Sequence, residues 1–131
     1  MSVENIISSF ERTSRLGTVR SLLGPHAQAQ NCAVIESVYQ ERGHVPPHYH
    51  NCEQVLVCAE GDGILFIGEE PHTLLAGSTM VIPAGIAHCF YNTGNGRMRL
   101  LSFFPAANPE CHWVASLRRV TDPSAAFCAM A

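Results

Sequence analysis

The chain has 131 residues, of which 47% are hydrophobic and 15% charged, and its formal net charge is −3. This length predicts one domain with a single core, and the charge excludes the basic footprint of a nucleic-acid or anionic-membrane partner. No run of about 18 apolar residues is present, so no membrane-spanning helix is predicted. The low charge, with 10 glycines and 8 prolines, favours a compact β protein over a solvated helical bundle.

The N-terminus and the cysteines indicate a reducing compartment. Residues 1–5 lack the basic region and apolar core that begin a signal peptide. None of the cysteines forms a CxxC pair, and a chain of this length needs no disulfides to fold. The cysteines are Cys32, Cys52, Cys58, Cys89, Cys111 and Cys128. We therefore expect free thiols and a cytoplasmic location.

The N-terminal arm, residues 1–31, is predicted to begin with a short helix over residues 2–13. A capping residue is available at Ser2 or Asn5, and three apolar side chains repeat at helical spacing. These are Ile6, Ile7 and Phe10. Residues 18–23 then predict a short strand, which a Gly-Pro pair ends.

From residue 32 to residue 104, short strand candidates are separated by glycine- or proline-containing turns. The predicted strands are 32–41, 53–59, 64–67, 73–75, 79–82, 87–91 and 97–104. Such regular spacing predicts an all-β antiparallel sandwich or barrel. After residue 104 the pattern dissolves into a C-terminal extension, in which 113–120 is either a last strand or a short helix.

Two histidines one residue apart, His48 and His50, are the first chemical signal. Two prolines precede them and hold the chain extended. Because side chains alternate along a strand, both histidines then share one face with Cys52 and Gln54. Two imidazoles and a side-chain oxygen on one face indicate the beginning of a metal site.

A second stretch, residues 77–92, supplies a third histidine after a tight Pro-Ala-Gly corner. Together the two stretches resemble the cupin superfamily. The second cupin motif, G-x5-P-x-G-x2-H-x3-N, is matched at every position and spacing. The matching residues are Gly77, Pro83, Gly85, His88 and Asn92. Asn92 is expected to cap a turn.

The first cupin motif, roughly G-x5-H-x-H-x3or4-E-x6-G, is matched with two departures. His48, His50 and Gly61 stand at the family positions, Gly43 is one residue too close, and Gln54 occupies the slot usually held by Glu. The resemblance covers about residues 43–92 by motif and 32–104 by strand pattern.

The resemblance implies a double-stranded β-helix, a jelly-roll barrel that makes residues 1–131 a single cupin domain with its core at about 32–104. It also implies that His48, His50, His88 and the residue at the Glu position hold one divalent transition-metal ion. Fe, Zn, Mn, Ni and Cu all accept imidazole ligands. Gln54 has the strand parity and the family spacing for the fourth ligand. Glu53 faces the other way, unless a β-bulge turns it inward.

Three imidazoles and a carboxamide would leave the ion its full +2 charge and favour anionic oxygen ligands such as carboxylates or enolates. Small cupins with similar sites include dioxygenases, isomerases, decarboxylases and lyases. The resemblance therefore implies a metal-dependent enzyme acting on a small organic molecule. The alternative is a non-catalytic module that binds or senses a small ligand.

No residue type in the pattern identifies a general base beside these ligands. Glu53 and Tyr39 are the catalytic candidates, followed by Glu36 and His44. Small cupins commonly form homodimers by pairing or exchanging N-terminal strands. We expect residues 16–23 and 32–38 to serve as the exposed sheet edges for this pairing.

Overall fold

The computed structural model describes residues 2–5, 11–14 and 17–118. In these ranges twelve strands form two sheets of six strands each, and every recorded strand pair is antiparallel. The strands are β1 Ser2–Asn5, β2 Glu11–Ser14, β3 Gly17–Leu23, β4 Ala33–Tyr39, β5 His44–His50, β6 Gln54–Glu60, β7 Asp62–Ile67, β8 Glu70–Leu75, β9 Thr79–Ile82, β10 His88–Asn92, β11 Met98–Phe104 and β12 Glu110–Trp113. A 3-10 turn spans Pro25–Ala27.

The strand order shows how the chain alternates between the two sheets. The first sheet runs β1-β12-β5-β10-β7-β8, and the second runs β2-β3-β4-β11-β6-β9. Consecutive strands β4 to β7 therefore change sheets at every step, as do β9 to β12. This arrangement confirms the predicted all-β jelly-roll fold.

The core lies between the inner faces of the two sheets. Along β4 and β11, buried and partly exposed side chains alternate, as strand geometry requires. The main apolar cluster comprises Tyr39, Leu56, Cys58, Leu65, Leu74, Ile82, Phe90, Met98 and Leu100. A second cluster, Ala33, Ile35 and Phe104, packs against Val19 and Cys52. A few polar side chains interrupt these inner faces, and the site residues are among them.

The prediction of an N-terminal helix over residues 2–13 is wrong. Strand β1 pairs with β12, and β2 pairs with β3, so residues at both ends of the predicted helix are extended. The unpaired backbone groups of β12 and β3 offer these segments sheet hydrogen bonds, which outweigh a weak helical pattern. Ile6, Ile7 and Phe10 lie outside the described residues.

The sheet edges also differ from the expectation. Strand β3 lies between β2 and β4, and β4 lies between β3 and β11, so residues 17–20 and 34–38 are paired on both sides within one chain. The N-terminal arm itself provides β2, which covers the edge that we expected to be free. An argument for a homodimer from these two segments is therefore wrong, and the dimer itself stays a prediction.

The C-terminal extension forms neither of the two predicted elements over residues 114–118. Its strand, β12, ends at Trp113, where the sequence placed the beginning of a strand or helix. Residues 114–118 are irregular, and residues 119–131 lie outside the described part of the chain. The extension therefore adds a strand to the first sheet beside β5.

Asn92 joins two turns at one end of the barrel. Its buried amide nitrogen donates to the carbonyl oxygens of Tyr39 at 3.0 Å, Gln40 at 3.0 Å and Gly96 at 2.8 Å. Its amide oxygen accepts a hydrogen bond from the Gly94 backbone N–H at 3.0 Å. The predicted capping role is confirmed, and it extends to the neighbouring β4–β5 turn.

Four described cysteines, Cys32, Cys52, Cys58 and Cys89, carry free thiols, as predicted. Burial raises the pKa of the thiols of Cys52, Cys58 and Cys89, so these side chains are protonated, apolar packing groups. Within the described ranges, no helix has the length and apolar character needed to cross a membrane.

Candidate metal centre

Three histidines meet on the inner face of the first sheet. Strand β5 carries His48 and His50, and the adjacent strand β10 places His88 directly opposite His48. The three side chains are buried, and their ligand nitrogens all lie within 4.8 Å of one another. This group has the composition and spacing of a site that can bind a metal ion.

Two local features of the chain aim these histidines. The corner before β10 contains Gly85, whose φ of 78° suits glycine, and its N–H donates to the His50 carbonyl oxygen at 2.9 Å. Between β5 and β10 the register shifts, because two residues lie between Val45 and His48 while one lies between His88 and Phe90. The extra residue falls at the two prolines, which have no N–H to contribute to the ladder.

Each imidazole is fixed by a hydrogen bond from its Nδ1 atom to a backbone carbonyl oxygen. These bonds run from His48 to Pro46 at 2.8 Å, from His50 to Glu110 at 2.8 Å and from His88 to Ile86 at 2.9 Å. A carbonyl oxygen can only accept, so Nδ1 carries the proton in all three rings and Nε2 keeps its lone pair. Backbone oxygens of this kind set both the tautomer and the orientation of metal-binding histidines.

Burial keeps the three rings neutral. It lowers the pKa of His48 to about 4, despite the opposing hydrogen bond to Pro46. Burial, followed by the nearby His48, lowers the pKa of His50 to about 3. For His88, burial and then the other two histidines hold the pKa well below its usual range. All three are therefore available as neutral ligands at neutral pH.

Gln54 begins β6 on the inner face of the second sheet and is 3% exposed. Its amide nitrogen donates to the Ser102 hydroxyl oxygen at 2.8 Å. Its amide oxygen, Oε1, is buried and has no hydrogen-bond partner among the described residues, and the same holds for His88 Nε2. In the described part of the chain only one other buried side-chain atom, His112 Nδ1, lacks a partner. Such atoms are unusual in folded proteins, and Gln54 Oε1 and His88 Nε2 each keep a lone pair that can bind a cation.

Aromatic side chains flank the histidines. The Trp113 indole lies with its ring centroid 5.2 Å from that of His48, and the Phe104 ring lies 4.9 Å from that of His50. Trp113 pairs with His48 across β12 and β5, so both side chains occupy the same face of the sheet. The surroundings of the imidazoles are thus largely apolar, which strengthens electrostatic interactions at the site.

The remaining sequence candidates do not join this group. Glu53 is exposed, whereas its neighbour Gln54 is buried, as strand parity predicts. Tyr39 packs in the apolar core edge-on against Phe90, with ring centroids 5.3 Å apart. Neither Glu53 nor Tyr39 is therefore placed to act as a base at the histidine group.

Glu36 and His44 are engaged in other contacts. The Glu36 carboxylate accepts hydrogen bonds from Arg99 at 2.6 Å and Arg20 at 2.9 Å. The Arg99 hydrogen bond, aided by the Arg20 charge, lowers the pKa of Glu36 despite desolvation. His44 stacks on Tyr91 with ring centroids 5.2 Å apart. Neither residue is part of the histidine group.

Sequence reasoning missed Ser102. On the buried face of β11 this serine lies between Leu100 and Phe104, so one polar residue interrupts an apolar row. That interruption was visible in the sequence, but its partner Gln54 lies 48 residues away on another strand. Without the strand register, nothing connects the two.

Residues 35–104 match the family model for the cupin domain, which covers more than half of the chain. The chain is a cupin. The three grouped histidines of this cupin, His48, His50 and His88, and its buried Gln54 lie within the matched region, whereas Trp113 lies beyond it. A comparison with curated protein sequences gave no significant match.

Solved structures confirm the cupin fold. An oxalate oxidase is 21% identical with a TM-score of 0.69, covering 85% of this chain and 62% of its own. The polyketide cyclase RemF from Streptomyces resistomycificus is 24% identical with a TM-score of 0.69, covering 93% and 84%. The 7S globulin of Momordica charantia is 20% identical with a TM-score of 0.72, covering 87% and 38%.

At these identities the similarity concerns the fold alone. The cupin spans less than two thirds of the oxalate oxidase chain and of the globulin chain. Because one fold carries proteins with such different names, the function has to be argued from the site.

Proposed function

We propose that this cupin is a metal-dependent enzyme that acts on a small organic substrate with an anionic oxygen group. His48, His50, His88 and Gln54 would hold one divalent transition-metal ion. The observation that carries the proposal is a group of three neutral imidazoles protonated at Nδ1, together with two buried atoms that lack a hydrogen-bond partner, His88 Nε2 and Gln54 Oε1. Nitrogen and amide-oxygen ligands suit Fe, Zn, Mn, Ni and Cu alike.

The charge of this ligand set favours an anionic substrate. All four proposed ligands are neutral, and the carboxylates of Glu36 and Glu53 lie outside the group. A divalent ion held in this way keeps its full charge, and a carboxylate or enolate oxygen would offset it. When bound, such an ion supplies Lewis-acid polarisation and, if it is redox-active, electron transfer of the kind dioxygenases use.

The chain's own residues contribute orientation and exclusion of water. The backbone oxygens of Pro46, Glu110 and Ile86 hold the imidazoles, so the ligands need little rearrangement when the ion binds. Trp113 and Phe104 line the site with apolar surface. Both effects strengthen the interaction of a charged substrate group with the site.

The similar structures supply further support for an enzyme. They include an oxalate oxidase, which was also solved with glycolate, and a polyketide cyclase. Oxidation and cyclisation span the redox and the Lewis-acid versions of the proposal. Small hydroxy-acids and dicarboxylates are therefore the first substrates to test, and enolisable diketones the second.

A non-catalytic ligand-binding cupin is the second candidate. One observation favours it: the candidate bases Glu53, Tyr39, Glu36 and His44 all lie outside the histidine group. A Lewis-acid isomerase or lyase needs a base, whereas a dioxygenase relies on the metal. Within the enzyme proposal, this observation favours the dioxygenase version.

His88→Ala tests the metal site. We expect wild-type protein to retain about one transition-metal ion per chain and the variant to lose most of it, with at least about a 100-fold weaker affinity. Elemental analysis after purification, and after reloading, measures the content. His72→Ala is the matched control, because that histidine is partly exposed and paired with Glu70. Equal metal content in wild type and His88→Ala would contradict the proposed site.

Oxygen uptake then separates the two functions. Protein loaded with Fe²⁺, Mn²⁺, Ni²⁺ or Cu²⁺ is screened with small carboxylates and diketones in an oxygen electrode, with product analysis for reactions that consume no oxygen. Substrate-dependent turnover that His88→Ala abolishes supports the enzyme. Tight binding of a carboxylate without turnover supports the binding module.

A homodimer and a cytoplasmic location complete the proposal. Exposed Cys32 is a free thiol, which suits a reducing compartment. The edge strands now available for pairing are β8 and β9, together with β1 and β2 of the N-terminal arm. Light scattering of the purified chain measures its oligomeric state.

A further inference from the structure

We propose that Ser102 is a positioning residue that sets the metal affinity of this cupin by orienting the Gln54 carboxamide. The inference rests on the proposed function, because it concerns the ligand role of Gln54. Ser102 and Gln54 are 5% and 3% exposed, and the hydroxyl oxygen lies 2.8 Å from the amide nitrogen. The serine acts on the site through the glutamine and touches neither an ion nor a substrate.

A buried carboxamide can point either its oxygen or its nitrogen toward the histidines. In this structure the amide nitrogen donates to Ser102, and Oε1 has no partner and is left open for a cation. With the nitrogen inward, its N–H groups would find acceptors in the Nε2 lone pairs of the imidazoles. That second orientation would fill the site with hydrogen bonds and compete with a metal.

The Ser102 hydroxyl can accept from the Gln54 nitrogen or donate to the Gln54 oxygen, and in this structure it accepts, which supports the orientation that leaves Oε1 open. A buried N–H without an acceptor is rarer in proteins than a carbonyl oxygen with a spare lone pair, so it is the more costly of the two. Removal of the hydroxyl would leave the Gln54 N–H without its acceptor when the oxygen faces inward. The amide would then turn its nitrogen toward the histidines, where acceptors are available.

The position of Ser102 in the fold supports this role. It stands on the inner face of β11 between Leu100 and Phe104, opposite Leu56 of β6. An apolar side chain would suit this row as well, and a buried hydroxyl costs free energy unless it is hydrogen-bonded. The hydroxyl is thus accounted for by its contact with Gln54.

Co²⁺ binding tests the inference, because the d–d absorption of this ion depends on its coordination number and ligands. We expect Ser102→Ala to weaken Co²⁺ affinity by about 10- to 100-fold and to change the spectrum, as loss of an outer-shell partner does elsewhere. Ser102→Thr and Ser102→Val form a matched pair of nearly equal shape. The threonine should stay within about threefold of wild type, and the valine should behave as the alanine does.

Two controls separate positioning from a general structural effect. Ser37→Ala removes another buried serine from the inner face of the same sheet and should leave Co²⁺ affinity unchanged. In a Gln54→Ala background there is no carboxamide to orient, so adding Ser102→Ala should cause no further loss. Circular dichroism checks that each variant is folded, and the Thr/Val pair carries the test if the alanine variant unfolds.

The outcomes separate this inference from the proposed function. Loss of Co²⁺ affinity in Ser102→Val but not in Ser102→Thr, absent in the Gln54→Ala background, supports the role of Ser102. Wild-type affinity in Ser102→Val, or an equal loss in the Gln54→Ala background, overturns it while leaving His88-dependent metal binding intact. Co²⁺ binding that is unaffected by His88→Ala overturns both.

Discussion

Gln54 and Asn92 are both buried carboxamides, and the protein treats them in opposite ways. Asn92 ends β10 with its nitrogen shared among three carbonyl oxygens and its oxygen accepting a backbone N–H. Gln54 begins β6 with one hydrogen bond from its nitrogen, and its oxygen has no partner among the described residues. The two carboxamides are similarly buried but differ in how many of their polar atoms are hydrogen-bonded.

The difference separates a structural role from a functional one. A buried polar atom without a partner costs about 1–3 kcal/mol, and binding of a ligand to that atom would remove the cost. The Asn92 turn carries no such cost. At the histidine group, Gln54 Oε1 and His88 Nε2 both carry it. Metal binding should therefore stabilise one end of the barrel and leave the other unaffected.

Acid should destabilise the histidine end most. In the metal-free protein, His48 and His50 have pKa values of about 4 and 3, lowered chiefly by burial, and stay neutral where the unfolded chain takes up protons. Stability is therefore present above pH 6.5 and is lost as pH falls. From pH 7 to pH 5, each of the two should lower the free energy of unfolding by about 2 kcal/mol, and His88 adds to this in the same direction.

Urea unfolding of chelator-treated protein at pH 7 and pH 5 measures this loss. His50→Leu should remove about 2 kcal/mol of the pH dependence. An unfolding free energy that is the same at both pH values would show that the folded site takes up protons as readily as the unfolded chain.

Replacement of Asn92 should have the next largest effect. Asn92→Ala leaves three carbonyl oxygens and the Gly94 N–H without their partner, and we expect a loss of about 3 kcal/mol in the free energy of unfolding. Metal stoichiometry should not change. Asn95→Ala, at an exposed position in the same turn, should stay within about 0.5 kcal/mol of wild type. A loss of metal in Asn92→Ala would contradict the prediction that the Asn92 turn contributes to stability without affecting metal binding.

Replacement of Gln54 should have the smallest effect on the metal-free protein. Gln54→Leu removes the unsatisfied oxygen at similar volume but also leaves the buried Ser102 hydroxyl without its partner. The two effects offset each other, so the free energy of unfolding should stay within about 1 kcal/mol of wild type. Metal affinity should fall in the same variant. Urea unfolding in the presence of a chelator measures the first quantity. A loss comparable with that of Asn92→Ala would mean that Gln54 Oε1 has a partner even without the metal.

The sequence was sufficient for the fold and for most of the candidate site. Glycine and proline positions marked seven strands between residues 32 and 104, and the structure shows all seven. It adds β5, His44–His50, whose first residues the sequence predicted as an extended break between strands. Strand parity was enough to separate buried Gln54 from exposed Glu53, because successive side chains face opposite ways. Local sequence spacing was therefore enough to predict any feature that depends on a single strand.

Features that depend on pairing between distant strands could not be read in this way. The N-terminal segment is extended because of its partners β12 and β3, which a helical pattern over residues 2–13 cannot reveal. Ser102 meets Gln54 through the register of β11 with β6, and the Nδ1 acceptor of His50 comes from Glu110, 60 residues away. The periodicity of one strand predicts which face each side chain takes, but it does not predict which residue of a distant strand lies opposite.

The position of Trp113 gives the protein an optical probe of its own. It is the single tryptophan of the chain, and its ring lies 5.2 Å from that of His48. Paramagnetic ions and protonated imidazole both quench indole emission at such short range. Intrinsic fluorescence would therefore follow ion entry, ion exchange and acid titration at the histidines in real time, without a label and on the unmodified chain.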